Sequence, residues 1–139
     1  TPMMKNVVVG RDMRASSPSL SKQLMQGIND QGGNVIDIGL VDTSMVYFAV
    51  NHLDCAGGVM VTASHNENGW TGVKMGANRP LTFGPDEMGR LKDIVLGGKF
   101  KERDGGKLTR IDEAANGTWC VMAVKGLPQP VNVRPSQLG

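Results

Sequence analysis

Only two cysteines, Cys55 and Cys120, occur in the chain. That number excludes a disulfide framework, and their separation excludes C-x-x-C metal ligation; both are read as reduced thiols of a cytoplasmic protein. Aromatic residues are scarce as well: three Phe, two Trp and one Tyr offer few platforms on which bases could stack. Fifteen basic residues against 13 acidic ones leave a net charge of +2 with no basic stripe, so neither nucleic acid nor an anionic membrane is an expected partner. No apolar run approaches the roughly 20 residues that span a bilayer. The first residues also lack a charged-then-apolar leader pattern. For these reasons the sequon-like Asn116-Gly117-Thr118 carries no expectation of glycosylation.

What the chain has is room for one core. With 139 residues, 40% of them hydrophobic, it is expected to hold a single principal domain. The segment Asn6–Gly10 (NVVVG) is a run of β-branched residues closed by glycine, the pattern of a strand buried on both faces. A helix is predicted next, with Ser17 as N-cap, Pro18 in its first turn, and Leu20, Leu24, Met25 and Ile28 along one face until Gly32 and Gly33 stop it. Asn34–Gly39 (NVIDIG) is a second strand. A second helix, capped by Thr43 or Ser44, carries Val46, Ala49, Val50 and Leu53, with His52 as a surface residue near its end. Gly57–Ser64 (GGVMVTAS) is a third buried strand, and a shorter extended piece follows around Gly72–Met75. A third helix starts at Pro85, with Asp86 and Glu87 in its first turn, and ends on glycine. Met45, Met60 and Met88 are expected as core filler.

The β-α-β-α-β order predicts an α/β three-layer sandwich, a mostly parallel sheet with helices on both faces and right-handed crossovers. Beyond it, Phe100–Glu113 is a densely charged run read as solvated. Between Ala114 and Gly139 only Lys125 and Arg134 are charged, and three prolines break any regular pattern. The expected division is therefore a domain over residues 1–113 and an atypical tail over 114–139. That tail is either a linker with an edge strand (TWCVMAV) or the product of truncation or a frameshift.

In such sheets ligands gather at the carboxyl ends of the strands. Two polar clusters fall there: Gly10–Arg14 (GRDMR) after the first strand and Thr62–Asn66 (TASHN) after the third. Arg11, Asp12 and Arg14 form either a salt-bridged loop or part of a site. Ser64 presents a hydroxyl in a polar turn, which suits acyl transfer or phosphoryl transfer. Acyl transfer requires a histidine later in the chain, and none lies beyond His65. Phosphoryl transfer requires a hydroxyl to carry the group, cations to neutralise its oxygens and a proton acceptor. Ser64, His65 and Lys74 meet part of that requirement. A phosphoserine would bring about −1.5 to −2 charge at neutral pH, so neighbouring cations or Mg²⁺ are needed.

Gly10-Arg11-Asp12-Met13-Arg14-Ala15-Ser16-Ser17, Gly39, Thr43, Thr62-Ala63-Ser64-His65-Asn66 and Gly72-Val73-Lys74 together resemble the first domain of the α-D-phosphohexomutases, the phosphomannomutase/phosphoglucomutase family. The resemblance covers roughly residues 5 to 100. It implies that Ser64 is a phosphoserine exchanging its group with O1 and O6 of a hexose phosphate through a hexose 1,6-bisphosphate. It also implies that the Ser64 phosphate is a ligand of Mg²⁺, that His65 orients substrate or shuttles protons, and that Lys74 is a general acid or base. Arg11, Asp12 and Asn66 are implied to bind substrate or shape the site floor. The chain departs from the family where Glu67 replaces a proline, where Trp70-Thr71-Gly72 replaces Tyr-Asn-Gly, and where Ser44 follows Thr43 in place of proline. The family's D-x-D-x-D-R metal loop, sugar-selecting loop and terminal phosphate loop do not occur in the sequence. The expectation is an inactive first domain that binds Mg²⁺ weakly by itself. The rival expectation is a non-catalytic phosphosugar-binding or oligomerising module, dimerising through an exposed interdomain face.

Overall fold

Three valines in a row must send their side chains to opposite sides of a strand, and this alternation organises the molecule. The computed structural model describes residues 6–77, 82–111, 120–122 and 131–133. In β1 (Asn6–Arg11), Val8 faces a cluster with Val46, Ala49, Val50, Cys55 and Met60, whereas Val9 faces Met25 and Val35. The first cluster is roofed by α2 (Thr43–His52), the second by α1 (Ser17–Asp30). One helix therefore covers each face, giving the expected three layers.

The remaining strands of the main sheet are β2 (Asn34–Leu40), β3 (Gly57–Val61), β4 (Val73–Ala77) and β5 (Leu108–Arg110), in the order β4-β3-β1-β2-β5. β1 pairs in parallel with both β2 and β3, and β5 pairs in parallel with β2, while β4 is antiparallel to β3. The chain moves from β1 to β2 on one side, then crosses back to β3 on the other. Right-handed crossovers in opposite directions put α1 and α2 on opposite faces. They also place the reversal of travel between the carboxyl ends of β1 and β3, the point at which sheets of this kind open a crevice for ligands.

Two glycines let α2 approach the sheet closely. A Cβ on Gly10 would lie 2.5 Å from Val41 Cγ2 and 2.7 Å from Val46 Cγ2. A Cβ on Gly58 would lie 2.6 Å from Val50 Cγ2 and 2.8 Å from Val46 Cγ1. Val46 thus sits over two glycines of adjacent strands.

Several local expectations are corrected. Ser17 is not the N-cap of α1: Ser16 holds that position without a side-chain cap, and Ser17, only 2% exposed, donates its hydroxyl to the Asp12 carboxylate. Ser17 and Ser21 line the buried side of α1 while Leu20 is exposed. Neither Thr43 nor Ser44 caps α2; Asp42 does, its Oδ1 accepting from Met45 N–H at 3.0 Å. β3 ends at Val61, so Thr62–Ser64 belong to the following loop. The charged run is exposed from Phe100 to Arg110 except at half-buried Gly106, as expected, but it contains an unexpected edge strand, β5, whose three residues are all exposed. An edge strand shows only one hydrogen-bonded side and carries charge to protect the other, which disguises it.

The third helix, α3 (Pro85–Gly97), starts where expected, with Gly84 N–H donating to Glu87 Oε2 at 2.9 Å, and Gly98 at φ +61° closes it. It buries no residue: Met88, Ile94, Val95 and Leu96 are exposed. Met60 lies in the core, but Met88 does not. β6 (Cys120–Met122) and β7 (Val131–Val133) pair antiparallel in a separate two-stranded sheet, so β6 is not an edge strand of the main sheet. The rest of the 114–139 tail, with Asn116-Gly117-Thr118, lies outside the described residues.

Candidate active site at the end of the third strand

The loop after β3 begins by continuing its ladder, Thr62 N–H donating to Gly72 O at 2.9 Å. It then turns sharply. Ser64 N–H donates to Thr62 Oγ1 at 2.9 Å, Asn66 N–H donates to Ala63 O at 3.1 Å, and Ser64 itself takes φ +56°. A non-glycine residue in this left-handed region costs about 1–2 kcal/mol. The surrounding hydrogen bonds must hold it there.

Turned this way, Ser64 Oγ lies 3.2 Å from Lys74 Nζ and 3.1 Å from His65 Nδ1. Lys74 arrives through pairing: it stands opposite Met60 on β4, so its stem leaves the sheet on that residue's side. An ammonium only donates, so Ser64 Oγ accepts from Lys74. The hydroxyl's own proton is then directed to Nδ1 in the imidazole tautomer that leaves this nitrogen bare. The arrangement is a hydroxyl with a proton donor on one lone pair and a proton acceptor on its hydrogen, exposed to solvent.

The loop after β1 supports this turn. Asp12 N–H donates to Val61 O at 3.0 Å, tying the ends of β1 and β3 together. The Asp12 carboxylate accepts from Arg14 N–H and Arg14 Nε–H, both at 3.1 Å, and from the Ser17 hydroxyl. Burial pulls its pKa up, but the bonds from Ser17 and Arg14, the nearby Thr62 hydroxyl and the Arg14 charge outweigh this and hold the carboxyl below its ordinary range. Beyond this ion pair, the Arg14 guanidinium crosses to the Ser64 turn. Nη1 donates to Glu67 O at 2.9 Å, and Nη2 donates to Ser64 O at 3.0 Å and to Asn66 O.

Ser64, His65 and Lys74 are therefore brought together. Arg11 ends β1, half-buried, its carbonyl accepting from Val41 N–H at 3.0 Å. Asp12 turns its carboxylate to Arg14 and Ser17, and Asn66 is exposed in the turn. The loop containing Arg11, Asp12 and Arg14 holds the ion pair that one sequence reading named. The long reach of Arg14 to the Ser64 turn, and the parts of Thr62 and Ser17, were not foreseen. Asp12 and Arg14, two residues apart just after a strand, were the available signal.

Mg²⁺ prefers near-octahedral oxygen ligation with carboxylates. Here Ser64 offers one neutral hydroxyl beside an ammonium, and among the described residues no three His, Cys, Asp or Glu side chains cluster as ligands. The described side chains do not by themselves fit an Mg²⁺ site.

Known proteins share parts of this sequence and this fold. The chain is 52% identical over 69 residues to the phosphohexose mutases of Xanthomonas campestris, covering 50% of this chain and 15% of that protein. It is 37% identical over 118 residues to the phosphomannomutase of Salmonella typhimurium, covering 83% of this chain and 24% of that protein. A crystal structure of a phosphoglucomutase/phosphomannomutase family protein from Burkholderia thailandensis superposes with a TM-score of 0.70 at 30% identity, over 79% of this chain and 25% of that one. The chain thus spans a quarter or less of the length of these relatives. Residues 2–102 match the family model of phosphoglucomutase/phosphomannomutase, alpha/beta/alpha domain I, and the chain belongs to that family.

Proposed function

We propose that this chain supplies the phosphoryl-carrying serine of a mutase that moves a phosphoryl group between O1 and O6 of a hexose phosphate. One observation supports this above the rest: an exposed serine hydroxyl, held in a left-handed turn, with Lys74 Nζ at 3.2 Å and His65 Nδ1 at 3.1 Å. In the forward step a sugar hydroxyl attacks the phosphorus on Ser64, losing its proton to solvent and forming a new P–O bond as the bond to Oγ breaks. Lys74, hydrogen-bonded to Oγ, is placed to give a proton to the departing oxygen. In the return step Ser64 Oγ attacks the other phosphate of the hexose bisphosphate; the Oγ–P bond forms as the P–O bond to the sugar breaks, the Ser64 proton passes to His65, and the departing sugar oxygen takes a proton from solvent. Charge on the three phosphoryl oxygens is met by the Lys74 ammonium and by N–H groups of the turn.

Arg11 at the end of β1 and Asn66 in the turn border the same crevice and are assigned to substrate contact, Asp12 to the floor beneath it. The enclosing walls, the metal ligands and the sugar-selecting groups are assigned to protein beyond the described residues. In the relatives the match occupies a quarter of the length or less. The 139-residue chain by itself is accordingly proposed to take up a phosphoryl group without sustained mutase turnover.

The test is incubation with glucose 1,6-bisphosphate followed by intact-mass and peptide mapping. The expected result is a gain of one phosphoryl group on Ser64, absent in Ser64→Ala, with no conversion of glucose 1-phosphate. Absence of the label, or its location elsewhere, overturns the reading. A competing reading, a non-catalytic module that self-associates, is favoured by the exposed Met88, Ile94, Val95 and Leu96 of α3. Sedimentation of an unlabelled chain as a dimer, abolished by Ile94→Lys, would support it.

A further inference from the structure

Three carbonyl oxygens of one short turn converge on a single guanidinium. Arg14 donates to the carbonyls of Ser64, Asn66 and Glu67 while its Nε stays on Asp12. Asp12 is itself held by Ser17, which is buried in the first turn of α1. A continuous set of hydrogen bonds therefore runs from the helix on one face, through Asp12 and Arg14, to the turn that carries the reactive hydroxyl. Within it, the Asp12 and Arg14 side chains are each 13% exposed, whereas the turn they hold is open to solvent.

Peptide geometry adds a consequence. Among the described residues every peptide bond is trans, and in a planar trans unit the C=O and N–H point in opposite directions. If the carbonyls of Ser64, Asn66 and Glu67 aim at Arg14, the N–H groups that share those units, on His65, Glu67 and Asn68, aim away from it. Neighbouring N–H groups turned to one side form a concavity for anions.

We propose that Arg14 is a positioning residue for phosphoryl transfer at Ser64. It holds the serine in its left-handed conformation and turns the N–H groups of His65, Glu67 and Asn68 toward the phosphoryl oxygens. This rests on the reading of Ser64 as the phosphoryl carrier. The role needs a planar, forked cation, since lysine presents a point charge and cannot hold Asp12 and three carbonyls at once.

The test uses the ¹⁵N-labelled chain with glucose 1,6-bisphosphate as donor. Arg14→Lys and Arg14→Gln are compared with wild type for the rate of Ser64 phosphorylation, for the amide resonances of residues 65, 67 and 68, and for thermal unfolding. The expected result for Arg14→Lys is a folded chain that labels roughly 10²-fold more slowly, the scale of loss for a misplaced reacting group. Phosphorylation should move the three amide resonances in wild type and move them much less in Arg14→Lys. Added guanidinium ion should restore part of the rate in Arg14→Gln. A purely structural role would lower the unfolding temperature and leave the phosphorylation-induced amide shifts at wild-type size. Wild-type labelling with Arg14→Lys within twofold of it overturns the positioning role alone. Wild type that takes up no phosphoryl group overturns the reading of Ser64, and the positioning role falls with it.

Discussion

Asp12→Asn preserves shape and removes charge at the residue joining β1, α1 and the Ser64 turn. The carboxylate accepts two bonds from Arg14 at 3.1 Å and one from Ser17. An amide has one oxygen to accept with, and its NH₂ would either confront Arg14, which only donates, or force Ser17 to turn from donor to acceptor. Hydrogen bonds to a charged group contribute about 1.5–3 kcal/mol each, against about 1 kcal/mol for neutral ones. Losing the charge and at least one partner should destabilise the fold by about 2–4 kcal/mol. Because the loop borders solvent, the lower half of that range is expected. For a domain of this size each kcal/mol lowers the melting temperature by about 4–8 °C. Urea unfolding followed by circular dichroism measures the difference.

The same substitution carries a pH signature. The folded-state pKa of Asp12 lies below the ordinary value of 3.8, so the native state favours the ionised form. The resulting stability is fully present above the unfolded value and is lost as pH falls through the folded one. Wild type and Asp12→Asn should therefore differ most near neutrality and converge in strong acid. A difference under about 0.5 kcal/mol at neutral pH, the size of an ordinary surface change, would refute the network. A gap that persists undiminished in strong acid would refute the assignment of its charge.

Two further outcomes are expected. Gly58→Ala should cost about 1–3 kcal/mol by urea denaturation, because the new methyl would meet Val50 Cγ2 at 2.6 Å and Val46 Cγ1 at 2.8 Å; a neutral result would show that α2 does not sit so close to β3. Cys55 is 2% exposed, and burial, with Asp54 nearby, raises its thiol pKa. Peptide-mapped alkylation at Cys55 should be far slower in the native chain than in urea at mildly alkaline pH, and equal rates would contradict its burial.

Much of the architecture could be read in advance because its causes are local. Val7-Val8-Val9 must face both sides of a sheet, Pro85 with Asp86 and Glu87 starts a helix, and Gly98 stops one. The errors arose where two local candidates competed for one role. Ser17 was a plausible cap until Asp12 claimed its hydroxyl, and Thr43 and Ser44 stood beside Asp42, whose carboxylate reached Met45 N–H instead. β5 was missed because nothing in Leu108–Arg110 announces a strand; only the open edge of β2 makes it one. α3 carries apolar residues that suggest burial, yet it buries none.

By itself the sequence determined the order of elements from β1 to α3 and the position of Ser64 at the end of a buried strand, since periodicity and turn chemistry act over a few residues. Only the tertiary structure decided the strand order, the antiparallel approach that brings Lys74 to Ser64, and the reach of Arg14 to carbonyls 50 to 53 residues away. Such contacts have no local signature, because they form only after the sheet has placed two distant loops at the same end of neighbouring strands.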